Sequence, residues 1–264
     1  MTVKDIFLVP DRQIIELKGP DSKKFLQGLV TNDITDDKRS LKYSAMLNPQ
    51  GKYLFDFFIF TAEPNRFLID ISSKVFEPFL KRLNMYKLRS NVTLSPLCGD
   101  VLVGFMDTPD YALRDPRSKE MGWRGYRFEN DRSSKFNFLD QNFFDELRVK
   151  LMIPETGIEL VREKTYILEA GFERLNGVSF SKGCYVGQEV TARMKHKTEL
   201  QKGLAKVRVV GDLATSDLSI SVNENSVGHL LTRSKETAIA YIRFKFSDHN
   251  MLCGNSTIEV LERF

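Results

Sequence analysis

Residues 43–71 read YSAMLNPQGKYLFDFFIFTAEPNRFLIDI. Tyr43–Leu47, Tyr53–Phe60 and Phe67–Ile71 are strand-like, and Asn48-Pro49-Gln50-Gly51 and Glu63-Pro64-Asn65 supply the turns between them. A helix is predicted next, because Phe76, Phe79, Leu80 and Leu83 fall at i, i+3, i+4 and i+7. Pro78 is tolerated only in a first turn, which puts the helix start close to Lys74. In the middle strand Phe55, Phe57 and Phe58 surround Asp56, so one face is expected to pack and the other to line a pocket.

Outward from this core, residues 5–18 read as two β segments around a turn at Pro10-Asp11-Arg12. Gly19-Pro20 then opens a short helix with Phe25, Leu26 and Leu29 on one face. Val92–Leu94 and Val101–Met106 read as strands, the second apolar throughout, as a strand buried on both faces would be. Phe143, Leu147 and Leu151 mark a further helix, closed by Pro154. Strands and helices in this order, without single alternation, give an α+β class. From Leu200 the texture changes to short strands at Gly203–Val210, Leu218–Val222, Val227–Leu231, Ala238–Phe244 and Thr257–Leu261. They predict a small β-barrel or sandwich over 200–264, after a first region of 1–199.

The chain has 264 residues, 42% hydrophobic and 28% charged, enough for two domains, or one large one with an appendix, and for a sizeable core. Cys98, Cys184 and Cys253 lie far apart and form no C-x-x-C pair, which argues against a disulfide framework and a standalone zinc ribbon or finger. His196, His229 and His249 are equally scattered, and without an H-E-x-x-H pairing a metallohydrolase is not expected. No apolar run approaches the ~20 residues of a membrane span. The segment around Asp5 lacks a signal-peptide or transit pattern, so the expectation is a soluble protein of a reducing compartment, without membrane partners. The net charge of +4 suits a small anionic ligand better than general nucleic-acid binding.

The chemistry concentrates in residues 181–193, SKGCYVGQEVTAR. Gly183 and Gly187 bracket Cys184 and Tyr185, so the backbone can bend sharply there and approach a ligand. Gln188 begins a helix-like run, with Glu189 favourably near its N-terminus. A thiol near that end and near Lys182 would have more thiolate character and act as a nucleophile or a soft-metal ligand. The plainer reading is a small buried hydrophobe. No Gly-Lys-Ser/Thr completes a phosphate loop.

Lys182-Gly183-Cys184-Tyr185-Val186-Gly187-Gln188-Glu189 closely resembles the K-G-C-[FY]-x-G-Q-E signature of the YgfZ family. These are folate-binding proteins of iron–sulfur cluster maturation, related in fold to the glycine cleavage T-protein, an aminomethyltransferase. Residues 25–34 (FLQGLVTNDI) resemble the family's first helix and loop, residues 48–56 (NPQGKYLFD) its hairpin, and Leu168-Glu169-Ala170-Gly171 the segment before the signature. The likeness covers roughly residues 5–200, and the remainder matches only in texture.

The resemblance implies a T-protein-like folate-binding fold of intertwined α+β subdomains, one of them ferredoxin-like, plus a C-terminal β-barrel. It implies tetrahydrofolate or a related reduced folate as cofactor, with Asp56 near the reactive nitrogens and Glu169 on the amino-pyrimidine edge. A carboxylate accepting two neighbouring N–H groups has the right geometry for that edge. The simpler readings are that Asp56 is the polar position of an alternating strand, and that Glu169 caps a turn or pairs with Arg174. The basic stretch Arg193, Lys195, His196, Lys197 and Lys202 either meets the folate's glutamyl tail, binds RNA, or is a solvated face. Trp123 is read as core or pocket rim, and Cys98 and Cys253 as structural.

The implied function is assembly or repair of 4Fe–4S clusters in client enzymes, including radical tRNA-modifying enzymes, with Cys184 as the working thiol. One thiolate cannot hold a cluster that takes about four protein ligands, so no complete metal site is expected. A transient cluster would be shared with an iron–sulfur carrier protein. The compartment implied is the bacterial cytoplasm, or the mitochondrial matrix after removal of a transit peptide. A folate-dependent aminomethyltransferase is the alternative, which the cysteine signature opposes, and direct tRNA binding ranks last.

Overall fold

The computed structural model describes residues 6–35, 37, 40–128, 137–197, 199–213 and 217–264. Asp5 and the Lys197 side chain, both considered above, lie outside the described residues. The chain forms two compact units. The first joins Met1–Gln50, Leu54–Leu139 and Leu175–Gln188, and the second joins Gly51–Tyr53, Asp140–Arg174 and Glu189–Phe264.

The first unit runs β1 (Ile6–Leu8), β2 (Arg12–Lys18), α1 (Ser22–Gln27), β3 (Leu41–Leu47), β4 (Tyr53–Glu63), β5 (Arg66–Ser72) and α2 (Phe76–Lys87). It continues through β6 (Thr93–Leu97), β7 (Asp100–Gly104), β8 (Leu113–Arg114), β9 (Trp123–Arg127) and β10 (Asn137–Phe138). Two five-stranded sheets result, ordered β3-β4-β5-β2-β6 and β10-β1-β7-β9-β8.

Strand alternation in β4 sorts its phenylalanines by face. Phe55 and Phe57 pack on Phe79 of α2, with ring centroids 5.3 and 4.9 Å away. On the other face, Phe58 lies under the guanidinium of Arg124 at 4.2 Å, and Phe60 stacks on Tyr126 at 5.9 Å, both from β9. Pro78 is the third residue of α2, where its missing N–H costs nothing. α1 is shorter than predicted: Pro20 precedes it, and Leu29 is buried beyond its end. The hydroxyl of Ser22 donates to the carbonyl of Asn65 at 2.9 Å, which fixes the helix start two residues past the proline.

Trp123 is core. A Cβ on Gly104 would meet its ring at 2.3 Å, so only glycine lets β7 and β9 close over the indole.

The second unit holds α3 (Gln141–Leu151), most of α4 (Gln188–Lys197), and strands β11 (Lys202–Val210), β12 (Ser219–Val222), β13 (Asn225–Ser234), β14 (Thr237–Arg243), β15 (Met251–Cys253) and β16 (Ser256–Arg263). Asp140 caps α3 by accepting the Phe143 N–H at 2.8 Å. The strands close into a barrel, β11-β14-β13-β12-β15-β16, filled by Val207, Ala240, Ile242, Met251 and Ile258 among others. Five strands were expected here; β15, only three residues long, is the sixth and completes the closure that leaves no open edge.

Between its sheets the first unit buries the carboxylate of Asp70. Asp70 of β5 receives Arg12 at 2.6 Å, Arg124 at 2.9 Å and the Tyr126 hydroxyl at 3.3 Å. Burial pushes its pKa up, but the two guanidiniums outweigh this and hold it below the ordinary carboxylate value. Removing the charge strands two arginines, so Asp70→Ala is expected to cost about 3–5 kcal/mol in urea unfolding. The linkage has a definite sign. The stability from Asp70 is complete above about pH 4 and is lost as pH falls through the depressed folded-state value. Asp70→Ala should therefore flatten the acid limb of the stability–pH curve.

Candidate functional site: a tethered cysteine loop and two carboxylates

Residues 175–187 of the first unit contain no helix or strand, so their polar groups need partners from elsewhere. Those partners come from the segment after α1. The Ser179 N–H donates to the Thr31 carbonyl at 3.0 Å, and the Val186 N–H to the Gly28 carbonyl at 3.2 Å. In return the Thr31 hydroxyl donates to the Gly177 carbonyl at 2.7 Å, and the Asn32 amide to the Asn176 carbonyl at 2.6 Å.

Lys182 closes the tether. Its ammonium donates to the carbonyls of Val30 at 2.6 Å and Asn32 at 2.8 Å, and lies 5.1 Å from the Tyr185 ring centroid. Burial lowers its pKa to about 8, against a smaller opposing pull from Asp33.

Between these anchors Cys184 is exposed, while Lys182 and Tyr185 on either side are buried. The small-buried-hydrophobe reading of Cys184 is thereby overturned. Gly187 takes φ 83°, the left-handed turn that leads into α4, whereas a Cβ at Gly183 would meet only open space. Gln188 opens α4 half-buried, and Glu189 is exposed in its first turn, where a negative charge suits the helix dipole.

Asp56 belongs to the first unit and Glu169 to the second. Asp56, half-buried on β4, accepts the Tyr43 hydroxyl at 3.0 Å. Arg117, whose guanidinium is paired with Asp115 at 2.8 Å, lies 5.4 Å from the Tyr43 ring and 4.7 Å from that of Phe58. Burial opposes the Arg117 charge, but Asp115, Tyr43 and Asp56 together raise its pKa.

Glu169 is buried and accepts the Tyr241 hydroxyl at 2.6 Å. Burial and this carboxylate both push the Tyr241 pKa up. The backbone also holds Glu169 in place: its carbonyl accepts the Leu204 N–H at 2.8 Å, and a Cβ on Gly203 would come within 2.8 Å of the same oxygen. Arg174 instead binds the Leu151 carbonyl, stacks over Phe264 and sits 3.8 Å from Glu262, so it is Tyr241 that partners Glu169.

Arg193 and His196 are exposed on α4, Lys195 pairs with Glu173, and Lys202 lies 5.6 Å from the Tyr241 ring. Tyr43, Arg117 and Tyr241 were passed over in the sequence. The two tyrosines are ordinary strand residues there, and nothing local to Asp115-Pro116-Arg117 marks its part in the Asp56 surroundings.

A model of the GCVT N-terminal domain matches residues 9–101. The mitochondrial iron–sulfur cluster assembly factor IBA57 of Mus musculus is 31% identical over 245 residues, covering 81% of this chain and 68% of that protein. The chain belongs to the IBA57 family. The Homo sapiens member is 29% identical over 246 residues, with the same shares covered. The homologue of Mycosarcoma maydis is 32% identical over 219 residues, 74% of this chain, and the match spans 54% of that longer protein.

Among solved structures, the glycine cleavage system aminomethyltransferase T of Bartonella henselae superimposes with a TM-score of 0.78, covering 98% of this chain and 85% of that one at 14% identity. The fold is therefore the T-protein-like α+β fold with a C-terminal barrel, as the signature's resemblance implied.

The tether predicts a titration. The Lys182 pKa is about 8 in the folded chain and about 10.4 when unfolded, so the folded state disfavours the charge. Between these values the unfolded chain binds more protons, and stability rises with pH. Wild type is expected to gain stability relative to Lys182→Met from pH 8 to about 10, read by urea melts. Hydrogen exchange of the Ser179 and Val186 amides should accelerate in the variant.

Proposed function

We propose that this chain is a maturation factor for iron–sulfur enzymes, with Cys184 as its working thiol. The observation that carries the reading is the exposed Cys184, presented on a loop tethered on both sides. The names of its relatives, iron–sulfur cluster assembly factors in mitochondria, support it, and so does the YgfZ-like signature around the cysteine.

The cluster is cargo here. Among the described residues no group of three or more His, Cys, Asp or Glu is placed to hold a metal ion. A 4Fe–4S cluster taking about four protein ligands therefore draws the rest from an iron–sulfur carrier protein. The clients are 4Fe–4S enzymes, radical tRNA-modifying enzymes among them. The mitochondrial matrix is the compartment this reading takes, following the relatives.

A reduced folate is the proposed cofactor, and the donor chemistry fits it. A carboxylate offers about four lone-pair directions, so it can accept N–H groups of a pterin as well as a tyrosine hydroxyl, which Asp56 and Glu169 each accept here. The folate, when bound, supplies a one-carbon carrier. The resemblance assigns Asp56 to its reactive nitrogens and Glu169 to its amino-pyrimidine edge, and exposed Arg193 is a cation suited to its anionic tail. The aminomethyltransferase alternative rests on the fold, and a fold does not carry an activity.

The test is complementation of a strain lacking the native gene. Wild type is expected to restore the activity of a 4Fe–4S enzyme. Cys184→Ala, expressed at equal level and with an unchanged melting temperature, should leave it at the deletion level. Equal rescue by both proteins defeats the thiol reading. Turnover of a methylamine donor to methylene-tetrahydrofolate by the purified chain would favour the transferase.

A further inference from the structure

Leu88 follows the last residue of α2 at φ 37° and ψ −104°, a conformation that strains any residue with a Cβ. Among the described residues, Met152 is the other apolar one at positive φ, at 50°, and it is fully buried, so core packing offsets its strain. Leu88 has no such return: it is 87% exposed, and Met85 beside it is 57% exposed. An apolar side chain held in water by a strained backbone points to a function at that spot.

The surroundings say what kind. Lys24, Phe25, Tyr86, Leu88 and Arg89 line a cleft of about 920 Å³. Its floor is apolar, because Phe25 belongs to the core of the first unit and Tyr86 packs against it. Its rim is basic. Lys24 and Arg89 are exposed, and residues 74–90 carry Lys74, Lys81, Arg82, Lys87 and Arg89 against Glu77 alone. Asp21, the carboxylate in the lining, accepts the Asn91 N–H at 2.7 Å, so part of its charge is already engaged.

We propose that this cleft docks a partner protein through an acidic segment bearing one large apolar side chain. The apolar side chain enters between Phe25, Tyr86 and Leu88, and the flanking carboxylates meet Lys24 and Arg89. An apolar anchor in a pocket with a charged rim is the usual anatomy of a small protein interface. RNA has no apolar aliphatic side chain to cover Leu88 and Met85, and a lipid surface has no use for a cleft. The inference goes beyond the cluster reading and needs nothing from Cys184.

The experiment selects displayed random peptides on the full chain, then measures a synthetic peptide of the recovered consensus. The consensus should hold one large apolar residue flanked by Asp or Glu, and its affinity should fall as salt rises. Arg89→Glu and Leu88→Gly should each weaken binding by about tenfold. Glycine adopts the Leu88 backbone without strain, so Leu88→Gly should also raise the melting temperature. Binding and stability then move in opposite directions, which a folding defect cannot produce. Cys184→Ala should bind the peptide as wild type does, which separates this proposal from the thiol reading.

Recovery of no acidic–apolar consensus, or unchanged binding by Leu88→Gly, overturns it. So does Leu88-dependent binding of phosphatidylglycerol vesicles or single-stranded RNA in place of peptide, or Leu88-dependent self-association.

Discussion

The Lys182 ammonium reaches back 152 positions to the Val30 carbonyl and 150 to that of Asn32, and the placement of the exposed Cys184 thiol depends on that bond pair. A segment without helix or strand has no internal ladder to satisfy its backbone, so its shape is set by whatever it leans on. Here it leans on residues 28–32, which give and accept hydrogen bonds at Gly28, Val30, Thr31 and Asn32. A lysine suits the closing position because three N–H donors on a flexible stem can serve two carbonyls at once. Burying it depresses its pKa, and with it some stability at neutral pH. What is obtained is a cysteine that is exposed yet fixed, with its neighbours Lys182 and Tyr185 sealed in.

The same economy of charge recurs around β4. Its core-facing phenylalanines need only apolar neighbours, but Phe58 faces three guanidiniums, from Arg12, Arg117 and Arg124, at 6.0, 4.7 and 4.2 Å. Buried arginines are tolerable only when paired, and Asp70 and Asp115 supply the pairing. The aromatic face adds a weaker attraction that still favours the cation. Asp56 and Tyr43 sit beside this group, so the candidate ligand carboxylate lies in a field fixed by residues far off in sequence.

Much of this was legible where local pattern decides. The β4 alternation, the α2 apolar face with Pro78 in its first turn, and most barrel strands follow from spacing alone. The misses have physical causes. Met251–Cys253 is too short to show a period, yet the barrel cannot close without it. No strand is read at Trp123–Arg127, where Gly125 interrupts the large residues, yet it pairs with β7 and seats its indole on Gly104. Tyr43, Arg117 and Tyr241 acquire their partners through tertiary contact, of which the chain gives no local sign. The signature around Cys184 was visible from its residues, whereas the tether that exposes the thiol was not, because its acceptors are main-chain carbonyls, which every residue possesses.

A single exposed thiol is a poor trap for a cluster, and on the proposed reading that is its merit. A site with a full set of thiolates would hold a cluster as a resident group, since each added ligand strengthens the hold. A protein that contributes one ligand and borrows the others forms a shared site, which loses the cluster to any client presenting a complete set. Rigidity compensates for the missing ligands. A thiol fixed by the Lys182 tether gives up little conformational freedom when it binds, so one bond suffices for a brief exchange. A cysteine free on a mobile loop would lose that advantage without any change in its chemistry. The tether and the lack, among the described residues, of a group of three or more metal ligands are thus two halves of one arrangement, strong in position and weak in capture.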